Sequence, residues 1–288
     1  HLFKEGKHYH LYNKLGSHLM EYMGTKGVYF AVWAPNAKSV SVVGDFNNWD
    51  KGSHKMKSRW DNSGIWETFI PEAKKGTLYK YFIISNSGYE AEKGDPYAFL
   101  WENPPNTASV VWDLENTGKD KSWMKERKKK EGKAQPYSVY ELHLGSWKRV
   151  PEDNLRSLTY RELAEDLPKY LKEMNFTHVE FMPVMEHPFF GSWGYQITGY
   201  FAPSSRFGTP QDFMYLIDRL HQEGIGVILD WVPSHFPSDL HGIHYFDVTP
   251  LYEHEDPQQV VHTYLQCYIF NDGRIEVRPF LITNSLSW

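Results

Sequence analysis

At 288 residues the chain is long enough for about two domains of roughly 150 residues, each with its own core. A net charge of -5 argues against a general nucleic-acid binder, and the lone Cys267 excludes an intramolecular disulfide framework. No apolar run is long enough to span a bilayer, so no membrane partner is expected, and a cytoplasmic location fits the cysteine usage.

Aromatic residues make up 16% of the chain, with 11 Trp and 19 Tyr. Rings at that density suit either a β-rich core or a surface that stacks on sugars. Residues 1–19 read as a basic, aromatic lead-in with no alternation. Short β-type runs then follow: Val28-Tyr29-Phe30-Ala31-Val32-Trp33, Val40-Ser41-Val42-Val43-Gly44-Asp45, Trp66-Glu67-Thr68-Phe69-Ile70 and Tyr79-Lys80-Tyr81-Phe82-Ile83-Ile84. Each ends at a turn signal, the spacing of an antiparallel β-sandwich, placed at residues 20–113. Alternation puts Trp33 and Trp66 in its core, while Trp49 and Trp60 stay open between core and sugar-facing roles.

Residues 114–136 read as a solvated linker or short exposed helix, because Glu126 and Glu131 interrupt the basic run from Lys119 to Lys133. From Tyr137 the period changes. Ser138-Val139-Tyr140-Glu141-Leu142-His143-Leu144 is a strand. Thr159-Tyr160-Arg161-Glu162 is a capping box opening a helix with Leu163, Leu167, Leu171 and Met174 on its apolar face. His178-Val179-Glu180-Phe181-Met182-Pro183 is the next strand. A second helix starts at Thr209-Pro210, carries Phe213, Leu216, Ile217 and Leu220, and stops at Gly224. Gly226-Val227-Ile228-Leu229 is a third strand, read as buried on both faces.

The order β-α-β-α-β demands parallel strands with right-handed crossovers. Chemistry on such a sheet belongs in the loops after the strands. Those loops carry Gly145-Ser146-Trp147, then Glu186-His187 through Trp193-Gly194-Tyr195-Gln196, then Asp230 and His235. Asp230 and His235 either satisfy each other and the loop backbone, or line a site. Rings beside carboxylate and imidazole are an inventory for a polyhydroxylated ligand. Gly191-Ser192-Trp193-Gly194 is not a nucleophile elbow, and no phosphate-cradling glycine loop is present. His241, His244, Asp247 and His254 lack helical spacing and a cysteine, so neither a metal nor a cofactor is expected.

Two stretches carry a resemblance. Gly191-Ser192-Trp193-Gly194-Tyr195-Gln196-Ile197-Thr198-Gly199-Tyr200-Phe201-Ala202-Pro203 and Asp230-Trp231-Val232-Pro233-Ser234-His235-Phe236 closely resemble 1,4-α-glucan (glycogen) branching enzymes of the α-amylase superfamily. Pro233-Ser234 before His235 resembles the branching subgroup rather than debranching or trehalose-releasing hydrolases. Trp33-Ala34-Pro35-Asn36-Ala37 with Val43-Gly44-Asp45-Phe46-Asn47-Asn48-Trp49 resembles the glycogen-binding sandwich module that precedes the barrel.

The resemblance implies a multidomain chain: an N-terminal antiparallel β-sandwich, then an incomplete (β/α)8 barrel at residues 137–288. It implies an α-1,4-glucan such as glycogen or amylose as partner, and transfer of a glucan segment onto a 6-hydroxyl. Tyr195 matches the family's tyrosine beneath the sugar at the cleavage point. Asp230 and His235 match the pair that hydrogen-bonds that sugar, with Trp193 and Gln196 beside them. None of these is the nucleophile or the proton donor, for which the sequence holds no counterpart, so the chain alone is expected to be inactive. A non-catalytic glucan-binding protein is the alternative. Asn271-Asp272-Gly273-Arg274-Ile275-Glu276-Val277-Arg278 resembles the approach to the fourth barrel strand, before which the chain stops. Val248 stands where the family usually has Gly, Val260-Val261 replaces a Gly-containing pair, and Leu265 falls where Trp is expected.

Overall fold

The computed structural model describes residues 1–116, 118–130, 136–256, 258–262 and 267–288. The alternating runs of the N-terminal part form nine strands: β1 (Gly16–Tyr22), β2 (Thr25–Trp33), β3 (Ala37–Gly44), β4 (Lys57–Ser58), β5 (Ile65–Ile70), β6 (Leu78–Ser85), β7 (Glu90–Lys93), β8 (Leu100–Trp101) and β9 (Ser109–Val110). They pair antiparallel in two sheets, ordered β1-β2-β5-β4 and β3-β6-β9-β8, with β7 also paired to β6. Val28, Phe30 and Val32 of β2 share one buried cluster with Val40, Val42, Tyr79, Tyr81 and Ile83 of the other sheet. Phe30 and Tyr79 meet edge-on at 4.9 Å. Full burial of each such side chain is worth about 1.5–3 kcal/mol. Trp33 is buried, and Trp66 is half-buried with its indole N–H donating to the Ala34 carbonyl at 2.9 Å.

β1 begins inside the stretch read as a lead-in and runs past its end at residue 19. It is an edge strand whose last four residues are exposed, so no buried face imposes an alternation there.

The helix α1 (Lys121–Lys130) follows, with mostly exposed residues; Glu131 and Lys133 lie outside the described residues. Next come β10 (Val139–Leu142), a ribbon of β11 (Arg149–Val150) and β12 (Arg156–Ser157), the helix α2 (Tyr160–Glu173) and β13 (His178–Phe181). After β14 (Met185–Glu186) and β15 (Gly199–Pro203), which pair with each other, the chain continues through α3 (Pro210–Gln222) to β16 (Gly226–Leu229). β10, β13 and β16 form a parallel sheet, with His178 in register with Val139 on one side and Gly226 on the other.

Thr159 and Thr209 cap α2 and α3, each accepting from the third helical N–H while Glu162 or Asp212 accepts from the cap's own N–H. Leu163, Leu167 and Leu171 are fully buried at helical spacing. Met174, expected on the same face, is 52% exposed, because the helix has ended at Glu173 and Met174 is its C-cap. β16 also departs from expectation. It is an edge strand with Ile228 38% exposed, so it is not buried on both faces; among the described residues no strand pairs with its outer side.

The C-terminal part holds β17 (His235–Phe236), β18 (Val261–His262) and β19 (Cys267–Ile269) in one antiparallel sheet, then the helix α4 (Val277–Ser287). Packing divides the chain into two compact units. Residues 1–113, 185–202 and 232–288 make one; residues 114–184 and 203–231 make the other.

Candidate functional site

The loop between β14 and β15 is built by left-handed backbone. Ser192 and Trp193 donate their amides back to Phe189 and Phe190, Trp193 and Gly194 adopt φ of 54° and 87°, and the Tyr195 amide then donates to the Ser192 carbonyl at 3.1 Å. This turn leaves Trp193 52% exposed, with Tyr195 and Gln196 half-buried beside it. Gly199 closes the loop where no side chain fits: a Cβ there would sit 2.6 Å from the Trp101 indole nitrogen and 2.9 Å from the Glu186 Cβ.

β17 carries His235 opposite Ile269 of β19. Its ring Nδ1 is 2.9 Å from the Ser234 hydroxyl. Two contacts within this unit tie the first motif to the His235 end of the second and to β19. The Tyr200 hydroxyl donates to the His235 carbonyl at 3.2 Å, and the Gln196 amide donates to the Cys267 sulfur at 3.7 Å. Burial pushes both the Tyr200 phenol and the Cys267 thiol upward, so both stay protonated near neutral pH. The structure thus gathers Trp193, Tyr195, Gln196 and His235 in one unit.

Asp230 belongs to the other unit. It directly follows β16, is half-buried, and donates its amide to the Phe181 carbonyl at 2.9 Å. The same end of the parallel sheet carries His143, whose Nδ1 lies 2.8 Å from the Ser146 hydroxyl and whose pKa is lowered by burial and by Arg149. His143 was legible only as the end of a strand.

The four residues weighed as a metal set are engaged otherwise or apart. His244 meets the Glu253 carboxylate at 3.0 Å, Asp247 accepts from Asn36 and Thr249, and His241 lies edge-on to Trp101. Among the described residues, no group of three or more His, Cys, Asp or Glu could hold a metal ion. Chemically, the β14–β15 loop offers ring faces and an amide, and β17 an imidazole, which serve stacking and hydrogen bonding to hydroxyls.

A sandwich followed by part of a parallel α/β sheet, with polar loops after its strands, defines a carbohydrate-binding module joined to part of an amylase-type catalytic domain. Family models agree. Carbohydrate-binding module 48 (isoamylase N-terminal domain) matches residues 14–98, and the alpha amylase catalytic domain matches residues 162–259. Over its whole length the chain is similar to 1,4-alpha-glucan branching enzymes. It is 60% identical over 287 residues to the 1,4-alpha-glucan branching enzyme GlgB of Aquifex aeolicus (strain VF5), and 58% identical over 288 residues to that of Albidiferax ferrireducens. Each alignment covers 100% of this chain and 45% of the relative, so the chain spans a little under half the length of these enzymes. In fold it is similar to the pullulanase from Bacillus acidopullulyticus, with a TM-score of 0.72 at 21% identity, covering 96% of this chain and 36% of that one.

Proposed function

We propose that these 288 residues are a portion of a glucan branching enzyme and supply part of its substrate cradle. Tyr195, Asp230 and His235 hold the glucose unit at the cleavage point, with Trp193 and Gln196 beside them. The observation that carries this reading is the bond from Tyr200 to His235, which ties the first motif to the His235 end of the second within one compact unit.

The ligand is an α-1,4-glucan, and the location is cytoplasmic; no helix among the described residues is long and apolar enough to cross a membrane. No nucleic-acid partner is proposed, because the net charge is negative. A retaining transfer needs two carboxyl groups about 5–5.5 Å apart, one as nucleophile and one as acid/base. The sequence offers no counterpart of either, so these residues taken alone bind glucan without transferring it. An iodine-stain assay on amylose tests this with the purified chain. An unchanged absorbance spectrum is expected, and a clear fall in its maximum overturns the proposal.

A second reading, a glucan-binding protein without transfer in any context, is favoured by the match to a carbohydrate-binding module over residues 14–98. Linking this chain to the remaining half of a GlgB relative separates the two: restored branching supports the first reading, and persistent inactivity with glucan binding supports the second.

A further inference from the structure

Lys93 ends β7 of the sandwich and is buried, yet its side chain reaches a segment about 150 residues away. Its Nζ donates to the carbonyl oxygens of Leu240 and His244, each at 2.6 Å. The next residue, Gly94, donates its amide to the His241 carbonyl at 2.8 Å. Three carbonyls of the loop that follows His235-Phe236 are therefore held by two adjacent sandwich residues.

The loop's far end is fixed by Glu253, which is fully buried. Its carboxylate meets the His244 ring at 3.0 Å and accepts the amides of Tyr245 at 2.7 Å and Tyr252 at 3.2 Å. Among the described residues the chain forms no helix or strand between Phe236 and Val261, so this loop is held by turns, by Glu253 within it and by the sandwich donors outside it. Burying an ammonium costs several kcal/mol unless it is paired, and an apolar side chain of similar length would fill the same space. What the cation adds is directed donors aimed at two carbonyls. Glu253, His244 and His241 are the titratable groups around it. Burial brings the Lys93 ammonium down to about 8, and Glu253 opposes that fall.

We infer that Lys93 is a positioning residue: it fixes the loop after His235, so that glucan binding at His235 depends on a side chain of the sandwich. The dependence on glucan rests on the function proposed above. The ordering of the loop does not.

The test uses the 288-residue chain with Lys93→Met, Lys93→Arg and Lys93→Gln, the last a neutral donor that keeps the test open if the Met variant fails to fold. Amide hydrogen exchange over residues 239–253 is expected to quicken by about tenfold or more in the Met variant, with residues 25–33 and 78–85 unchanged. Maltoheptaose affinity is expected to fall about threefold or more, with no further loss when Lys93→Met is combined with His235→Ala. Wild-type affinity should weaken as pH rises through about 8, while Lys93→Arg holds its affinity, because a guanidinium stays charged. Unchanged exchange in the loop overturns the clamp. Faster exchange with unchanged affinity overturns its coupling to glucan. If His235→Ala alone leaves affinity intact, the reading of the site fails, and the exchange rates still decide the clamp.

Discussion

Asn36 gives both its backbone N–H and its side-chain amide to one oxygen of Asp247, at 2.9 and 3.0 Å. Asp247 is fully buried, and its other oxygen accepts from the Thr249 hydroxyl. A turn of the sandwich thereby satisfies a carboxylate 211 residues later in the chain. Removing the side-chain donor leaves that carboxylate under-solvated in a site water does not reach. Asn36→Ala should cost about 1–3 kcal/mol, read as a lower urea midpoint at unchanged slope. An unchanged midpoint would mean that the carboxylate finds another donor.

Val248, next to Asp247, adopts φ of 66°, and its amide closes a turn on the Tyr245 carbonyl. A β-branched residue is strained in the left-handed region, where Gly is not. The resemblance to branching enzymes places Gly at this position, and the backbone keeps the conformation a Gly would favour. Val248→Gly is expected to stabilise the chain by about 1 kcal/mol, net of the entropy that Gly loses on folding. Thermal melts of the two proteins at one pH check this, and a lower Tm for the Gly variant refutes it.

Asp95 is fully buried in the sandwich, accepting from the Tyr79 hydroxyl at 2.6 Å, the Tyr81 hydroxyl at 3.1 Å and the Tyr97 amide at 2.9 Å. Burial raises its carboxyl from 3.8 to about 6 despite those donors. The folded state therefore binds the proton more tightly than the unfolded one. Its contribution is fully present below about pH 3.8 and is lost as pH rises through about 6. At about 1.4 kcal/mol per unit, the loss is about 3 kcal/mol. Asp95→Asn should flatten the stability profile over that window, so the difference in unfolding free energy between variant and wild type shifts toward the variant from about pH 4 to about pH 7. A constant difference across the window would rule the titration out.

Ile228 is 38% exposed on the edge strand β16. An exposed apolar edge templates pairing with other chains, and a lysine there opposes it. Ile228→Lys should reduce light scattering of the 288-residue chain at high concentration and leave Tm within about 2 °C, since little burial is lost. Unchanged scattering would place the association surface elsewhere.

Local order was legible because its signals are local. The Thr159 and Thr209 boxes, the leucines at 163, 167 and 171 and the alternation of Tyr79, Tyr81 and Ile83 all act within one or two turns or along one strand. β1 escaped because an exposed edge strand needs no apolar face. Met174 and Ile228 were misjudged for one reason: apolar character does not say where a helix stops or which strand lies outermost.

Of the candidate site, the residues themselves were legible from two contiguous motifs, while their supports were not. Lys93 and Glu253 lie in no quoted motif, and Lys93 and Asn36 act on atoms 147 to 211 residues away. The sequence by itself determined the element order, the helix caps and the resemblance to branching enzymes, because each is written in neighbouring residues. Only the tertiary structure decided that residues 185–202 and 232–288 pack in one unit with the sandwich. The reason is physical: the stretches of these segments that lie outside helices and strands must find donors and acceptors for their buried backbone, and those partners come from wherever folding brings them.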